Sequence, residues 1–237
     1  MFCIKLAELV VEIDNRFAFV EKQCRDYLCP YAEGKPAFRV RVGAEEVATY
    51  RAETVRPLTD GEAESFLIYR KICGEMPRFG AYLLHASVVE MDGRGYAFSA
   101  RRGVGKSTHT ANWLRHFAGR AVIINGDKPL VRKAADGRYW AYGTPWCGKE
   151  GKQVNRRSPL SAICFLEQAS INRIAPADTA DTATRLLEGT ILPATAENQD
   201  RMAALVGATV RDVPAFVLRC RPDTEAVELA YVTLSQA

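Results

Sequence analysis

The segment FSARRGVGKST at residues 98–108 decides how the rest of this chain is interpreted. It follows an apolar stretch typical of a strand, precedes a stretch typical of a helix, and contains Gly-Lys-Ser. Gly103 and Gly105 allow a backbone with positive φ, so that successive N–H groups can converge on an anion. The helix that follows adds the positive end of its dipole. The pattern therefore predicts a phosphate-binding loop over residues 100–107.

Within this loop, Lys106 is expected to reach the β- and γ-phosphates of a nucleotide, and the Ser107 hydroxyl to ligate Mg²⁺. Alanine at the first position is tolerable, because that position starts the turn and need not approach phosphate most closely. The predicted nucleotide-binding residues are Ala100, Arg101, Arg102, Gly103, Val104, Gly105, Lys106, Ser107 and Thr108. The two arginines face either phosphate, an acidic acceptor or solvent. A chance Gly-Lys-Ser turn is the alternative, which the matching strand, loop and helix disfavour.

Three further features are candidates for the chemistry. Asp127 directly follows the apolar strand AVIIN and is suited to anchor a metal or its water, although an ordinary turn acid is the alternative. His85 lies in a predicted strand at 82–91, where it is either a structural histidine or one that faces the nucleotide. The segment GTPWCG at 143–148 is either a loop over the site or a hairpin turn with Trp146 in the core. His109 and His116 are interpreted as surface or packing residues.

Composition and charge place the chain among ordinary soluble proteins and exclude several classes. Of 237 residues, 48% are hydrophobic and 25% charged, and the net charge of +4 is scattered, which argues against nucleic acid as a partner. No apolar run approaches the roughly 18 to 20 residues that span a bilayer, and acids interrupt the apolar N-terminus, unlike a signal peptide. We therefore expect a cytoplasmic protein without a membrane partner. Seven scattered cysteines indicate reduced, mostly buried thiols rather than a metal site.

The element pattern predicts an α/β protein with two parts. Residues 1–58 are expected to form a small, mostly β N-terminal lobe with strands at 3–13, 37–42 and 46–51. Residues 59–237 are expected to form the catalytic domain, and their first helix opens with the capping pair Thr59 and Glu62. The further strands are predicted at 82–91, 95–99, 121–125, 130–133, 138–142, 161–166 and 215–220. The further helices are predicted at 106–117, 179–188, 196–205 and from 224 onward.

In this order, His85, the 100–107 loop, Asp127 and the 144–148 segment resemble the catalytic domain of the HPr kinase/phosphorylase family, particularly its smaller bacterial relatives. The resemblance covers roughly residues 65–170, and His85 precedes Lys106 by 21 positions, as the corresponding histidine does in that family. It implies a P-loop kinase core related also to ATP-dependent phosphoenolpyruvate carboxykinase. The implied activity is phosphoryl transfer from ATP, with Mg²⁺, to a serine hydroxyl of a protein or peptide. Self-association is implied as well.

Carried over by position, Lys106 contacts phosphate, Ser107 and Asp127 bind Mg²⁺, Asp127 is the base and His85 assists it. The sequence departs from the family at Gly126, where an acid usually precedes the aspartate, and the family's later metal-binding glutamate has only an offset candidate in Glu150. Three hypotheses therefore stay open. The chain is a kinase for a protein or peptide serine, a catalytically weakened nucleotide- and partner-binding module, or a kinase for a small metabolite.

Overall fold

Two β-sheets organise the chain in the computed structural model, which describes residues 1–30 and 35–237. The smaller sheet contains strands β1 (Phe2–Leu6), β2 (Leu9–Asp14) and β3 (Phe38–Arg41), in that order. The strand predicted at 3–13 is therefore a hairpin of two strands. Its turn residues Ala7 and Glu8 have φ of 46° and 69°. Neither is a residue that favours positive φ, so the sequence carries no hairpin pattern at this point.

The third strand predicted for the N-terminal segment, at 46–51, is wrong. These residues belong to helix α2 (Ala44–Glu53), which follows the short helix α1 (Ala18–Gln23). The Glu46 carboxylate accepts a hydrogen bond from the Gly43 N–H at 2.8 Å, which satisfies a backbone donor at the start of α2. The segment is consequently mixed rather than mostly β, while its boundary at residue 58 stays a prediction.

Helix α3 (Asp60–Glu75) confirms the predicted capping pair. Thr59 Oγ1 accepts a hydrogen bond from the Glu62 N–H at 3.3 Å, and Glu62 Oε2 accepts one from the Thr59 N–H at 2.8 Å. This reciprocal pair fixes the first turn of the helix. The buried face of α3 shares one apolar cluster with the small sheet and with part of the larger one. The helix thereby joins the two sheets.

The larger sheet is mixed and contains nine strands in the described residues. They are β4 (Ala81–Leu83), β5 (Ser87–Met91), β6 (Arg94–Ser99), β7 (Ala121–Asn125), β8 (Leu130–Lys133), β9 (Tyr139–Tyr142), β10 (Arg157–Gln168), β11 (Arg173–Pro176) and β12 (Ala215–Cys220). Their order is β4-β8-β9-β10-β6-β5-β7, with β12 also paired to β10 and β11 to β12. β10 runs parallel to β6 and β12. The short β11 had no predicted counterpart.

The single strand predicted at 82–91 is broken at His85. β4 pairs with β8, whereas β5 pairs with β6 and β7, so the chain crosses between two parts of the sheet at this point. His85 therefore lies in the connection and not in a strand. Its backbone N–H donates to the Gly189 carbonyl at 2.7 Å, and its carbonyl accepts from Ser99 Oγ at 3.0 Å. These two bonds hold the connection in place.

Helices cover both faces of the larger sheet, which makes the fold a mixed α/β arrangement. The helices are α4 (Lys106–His116), α5 (Thr179–Glu188), α6 (Ala196–Asp212) and α7 (Thr224–Leu234), close to the predicted ranges except that α6 is longer. Trp113 of α4 belongs to an apolar cluster with β6 and α7, and Leu186 of α5 to one with β4 and α6. Among the described residues, we find no helix with the length and apolarity that crossing a membrane requires.

His109 is a buried neutral histidine in the core behind the glycine loop. Its side chain is 3% exposed, and its Nε2 accepts a hydrogen bond from Trp113 Nε1 at 3.0 Å. Nδ1 then carries the proton of the neutral ring, and it has no hydrogen-bond partner among the described residues. Burial lowers the pKa of His109 from its ordinary value to about 4. The predicted packing role is confirmed by this burial.

Acidification from pH 7 to pH 5 is expected to lower the free energy of unfolding by about 2 kcal/mol through His109 alone. In this interval the unfolded state binds a proton that the folded state excludes, so stability falls as the pH falls from about 6.5 to about 4. Urea unfolding at both pH values measures the loss. His109→Gln keeps an acceptor for Trp113 but does not titrate, and an equally steep loss in this variant would refute the assignment.

Candidate functional site

An open cleft of about 960 Å³ lies where three parts of the chain meet. One wall is the glycine-rich loop with the first turn of α4. The second wall consists of residues 126–128 and 145–152, and the third comes from α1 and the start of α3. The volume lies at the upper end of the range for small-molecule sites. The cleft therefore has room for a nucleotide together with part of an acceptor.

The glycine-rich loop has the backbone conformation that the sequence indicates. Gly103 and Gly105 have φ of 86° and 114°, and α4 begins directly afterward at Lys106. A Cβ at either glycine would meet no atom within 4 Å, so the requirement for glycine is conformational rather than steric. Val104 differs from the other predicted binding residues. Its N–H donates to the Arg101 carbonyl at 3.2 Å and its side chain packs on the α4 cluster, so it does not line the cleft.

The three predicted catalytic side chains meet at one carboxylate oxygen. Lys106 Nζ lies 2.8 Å from Asp127 Oδ1, and His85 Nε2 lies 3.1 Å from the same atom. They come from the start of α4, the turn after β7 and the connection between β4 and β5, which are far apart in the sequence. On the other carboxylate oxygen, Oδ2, Lys128 Nζ lies at 3.5 Å. Asp127 is thus the centre of a compact shell of two ammonium groups and one imidazole.

The charges in this shell set the protonation of Asp127. Burial by itself raises the pKa of the carboxyl, but the hydrogen bonds from His85 and Lys106 outweigh it and hold that pKa well below its ordinary value. Burial lowers the pKa of Lys106, and its pairing with Asp127 opposes this only in part. Asp127 is therefore ionised at neutral pH. It can accept a proton or share an oxygen with a hard cation.

Asn125, a residue that sequence reasoning missed, holds the Asp127 turn in place. Its side chain is fully buried at the end of β7, and its Oδ1 accepts hydrogen bonds from the N–H groups of Asp127 at 2.9 Å and Lys128 at 2.7 Å. Its Nδ2 donates to the carbonyl and the Oγ1 of Thr144, both at 3.1 Å. One local indication of this role was available in the sequence, since a polar residue occupies the last position of an apolar strand directly before Gly-Asp.

Two glycines bring the 143–152 segment against this turn. Gly148 has φ of 80°, and a Cβ there would lie 3.0 Å from the Asp127 Cβ. A Cβ at Gly126 would lie 3.1 Å from the Cys147 carbonyl oxygen and 3.3 Å from that of Lys152. The position where the resemblance expects a second acid is therefore enclosed by backbone carbonyls, which would also repel a carboxylate. Gly126 fits this packing.

A protein-family model described as SynChlorMet cassette protein ScmC matches residues 64–223, which is more than half of the chain. The chain belongs to the ScmC family. The matched region of this ScmC protein begins in α3 and contains the glycine-rich loop, His85 and Asp127. No curated protein sequence matches the chain.

A solved structure described as the Hpr(Ser) kinase/phosphatase from Coxiella burnetii is similar to the ScmC protein over 65% of this chain and 97% of that chain. The TM-score is 0.39 and the sequence identity is 10%. At these values the similarity supports no argument about the activity of this protein. Its activity has to be inferred from its own site.

The 143–148 segment combines parts of the two predicted roles, because it lies along the cleft and Trp146 is in the core. It is not the predicted tight hairpin turn, since it belongs to the long connection between β9 and β10. Trp146 is buried, its ring stacks on Tyr69 at a centroid distance of 4.2 Å, and its Nε1 donates to Ser65 Oγ at 2.9 Å. Gly148 and its neighbours line the cleft. The core contact of Trp146 thereby fixes the loop that faces Asp127.

The described residues contain no group of three or more His, Cys, Asp or Glu side chains that could hold a metal ion by themselves. The oxygen donors at the cleft include the Asp127 carboxylate and the exposed Ser107 hydroxyl. Glu150 lines the same cleft and pairs with Lys152 at 3.6 Å. Mg²⁺ commonly takes one or two protein oxygens and completes its coordination with phosphate and water, so this small donor set fits Mg²⁺ bound together with a nucleotide.

Proposed function

We propose that the ScmC protein catalyses ATP-dependent phosphoryl transfer to a hydroxyl, with a serine of a protein or peptide as the acceptor. The observation that carries this proposal is the convergence of Lys106 and His85 on Asp127 Oδ1, at 2.8 and 3.1 Å, beside a glycine loop that opens a helix. A cation, a base and a phosphate cradle are the parts that phosphoryl transfer requires. The proposed core is accordingly a P-loop kinase core of the HPr kinase type.

In this proposal, each residue has a distinct role. The N–H groups of the loop and the start of α4 bind the phosphates, and Lys106 neutralises their charge. Ser107 and Asp127 would hold Mg²⁺, which would neutralise charge on the phosphate oxygens. The hydroxyl oxygen of the acceptor bonds to the γ-phosphorus while the bond from phosphorus to the bridging oxygen breaks. Asp127 takes the hydroxyl proton, His85 orients Asp127, and ADP leaves.

A non-catalytic nucleotide-binding module is the second candidate, and Gly126 is the observation that favours it. The single acid after β7 gives Mg²⁺ one carboxylate where the resemblance implies two. In such a module, nucleotide affinity would be indifferent to Mg²⁺ and no phosphoryl group would move. A small-metabolite kinase shares the chemistry of the first proposal and differs only in the acceptor.

The test is transfer of label from [γ-³²P]ATP to a pool of serine peptides, with and without Mg²⁺. We expect transfer that stops when EDTA removes the metal, because the phosphate charge is then no longer offset. Free serine and related hydroxy metabolites are assayed in parallel. Calorimetry that finds ATP binding unchanged by EDTA, together with no transfer to any acceptor, would establish the module instead.

A further inference from the structure

The cleft carries more positive charge than its own acids offset. Among the described residues, seven basic side chains and three carboxylates line it. All three carboxylates are already engaged, Asp127 by Lys106, Glu62 by the capping pair of α3 and Glu150 by Lys152. The side chains of Arg101, Arg102 and Lys149 form no hydrogen bond or ion pair within the described part of the chain. A Mg²⁺-bound triphosphate would offset only part of this surplus.

Lys128 is one of the basic residues of the cleft that the proposed nucleotide chemistry does not use. Its Nζ lies on the Oδ2 side of Asp127, at 3.5 Å, whereas Lys106 occupies the Oδ1 side. The backbone of Lys128 is held on both sides. Asn125 Oδ1 accepts from its N–H at 2.7 Å, and the hydroxyls of Tyr69 and Thr144 each donate to its carbonyl at 2.8 Å. The side chain is therefore presented from a fixed position.

An apolar surface lies beside this lysine. Lys128 Nζ sits 5.1 Å from the centre of the Phe66 ring, and Phe66 lines the cleft from α3. Phe19 of α1, which is 43% exposed, continues the same wall. Gly61 allows this close approach of α1 to α3, since a Cβ there would lie 2.6 Å from the Phe19 Cβ. An exposed phenylalanine in a cleft indicates a ligand with an apolar group.

We propose that Lys128, Phe66 and Phe19 form the acceptor subsite, and that it takes a peptide in which an acidic residue and an apolar residue flank the serine. The inference rests on the proposed function, because the proposed function makes Asp127 the base that lies next to this wall. Lys128 would pair with the acidic side chain, and the two phenylalanines would cover the apolar one. The phosphate-binding groups come from another wall of the cleft, formed by the glycine-rich loop and the first turn of α4. A peptide fits the charge and apolar surface together better than a small metabolite does.

The experiment measures fluorescence anisotropy with three labelled peptides. In each peptide the serine is flanked by one Leu and by one variable residue, which is Asp, Asn or Lys. The protein is saturated with the Mg²⁺ complex of a non-hydrolysable ATP analogue. We expect the Asp peptide to bind about tenfold more tightly than the Asn peptide, and the Lys peptide to bind most weakly. Lys128→Gln should remove this order among the three peptides. Phe66→Ala should weaken all three peptides alike.

Lys133→Gln is the matched control, because Lys133 pairs with Asp212 at the surface and does not line the cleft. It should keep the order of the three peptides. Equal binding of the peptides to the unmodified protein, or an effect of Lys128→Gln on the analogue alone, would overturn the subsite. Phosphoryl transfer that shows no preference for the Asp peptide would overturn it and leave the kinase proposal intact. Ordered binding without any transfer would support the subsite and refute the kinase proposal.

Discussion

Replacing Asp127 by asparagine is expected to lower kcat for phosphoryl transfer by about a thousandfold, and to weaken Mg-ATP binding because Mg²⁺ loses its carboxylate ligand. The amide cannot take the proton of the acceptor hydroxyl, and it lacks the negative charge on which Lys106 and His85 converge. The phosphate-binding N–H groups and Lys106 remain. Steady-state kinetics give kcat, and calorimetry gives the Kd for ATP.

The matched control is Asp136→Asn, the same chemical change at an exposed hairpin acid whose partner is Arg138. This variant should keep the kcat of the unmodified protein. Thermal unfolding of both variants shows whether either is misfolded. Transfer that persists in the folded Asp127 variant at the normal rate would eliminate Asp127 as the base.

Alanine at Gly143 is expected to lower the free energy of unfolding by about 3 kcal/mol or more. A Cβ there would lie 1.9 Å from the Val154 carbonyl oxygen and 3.1 Å from that of Ile124, so the backbone has to move. The Gly143 N–H also donates to the Arg156 carbonyl at 3.0 Å. Because the 143–148 segment packs on Asp127, the same shift should reduce transfer in the protein that still folds. Urea unfolding measures the stability.

Gly74→Ala provides the comparison for this substitution. Gly74 lies in α3, and a Cβ there would meet no atom within 4 Å. Alanine should stabilise the protein by up to about 1 kcal/mol, because it restricts the unfolded chain and favours the helix. Equal effects of the two substitutions would contradict the steric account of Gly143.

Features that depend on neighbouring residues could be predicted from the sequence. The Thr59 and Glu62 cap is a contact over three positions, and the hairpin at Asp92 and Gly93 is formed by residues with φ of 51° and 75°. The glycine-rich loop belongs to the same class. In each case the residues that decide the conformation are the residues that adopt it, so a local pattern is sufficient.

Features that depend on distant partners could not be predicted in this way. The segment 82–91 is mostly apolar and fits a single strand, yet it breaks at His85 because its first half pairs with β8 and its second half with β6. Helix α2 was mistaken for a strand because residues 46–51 bury a single side chain, Val47, and show little apolar periodicity. The turn at Ala7 and Glu8 is imposed by the pairing of β1 with β2. Tertiary pairing decided all three.

The same distinction between local patterns and distant partners applies to the candidate site. Asp127, Lys106 and His85 were chosen from their positions relative to a motif, and the fold places them in contact. Asn125 was missed because its role consists of bonds to Thr144 and to the turn it precedes. The close packing around Gly126 involves the carbonyls of residues 147 and 152, which no pattern near 126 indicates.

The most direct measurement is a calorimetric titration of Mg-ATP into the unmodified protein, Lys106→Met and Lys133→Met. The central claim is that the loop ending at Lys106 holds a triphosphate beside Asp127. It predicts that the Lys106 variant binds Mg-ATP at least about tenfold more weakly, while Lys133→Met binds it like the unmodified protein. Equal affinity of all three proteins, or no binding to any of them, would contradict it.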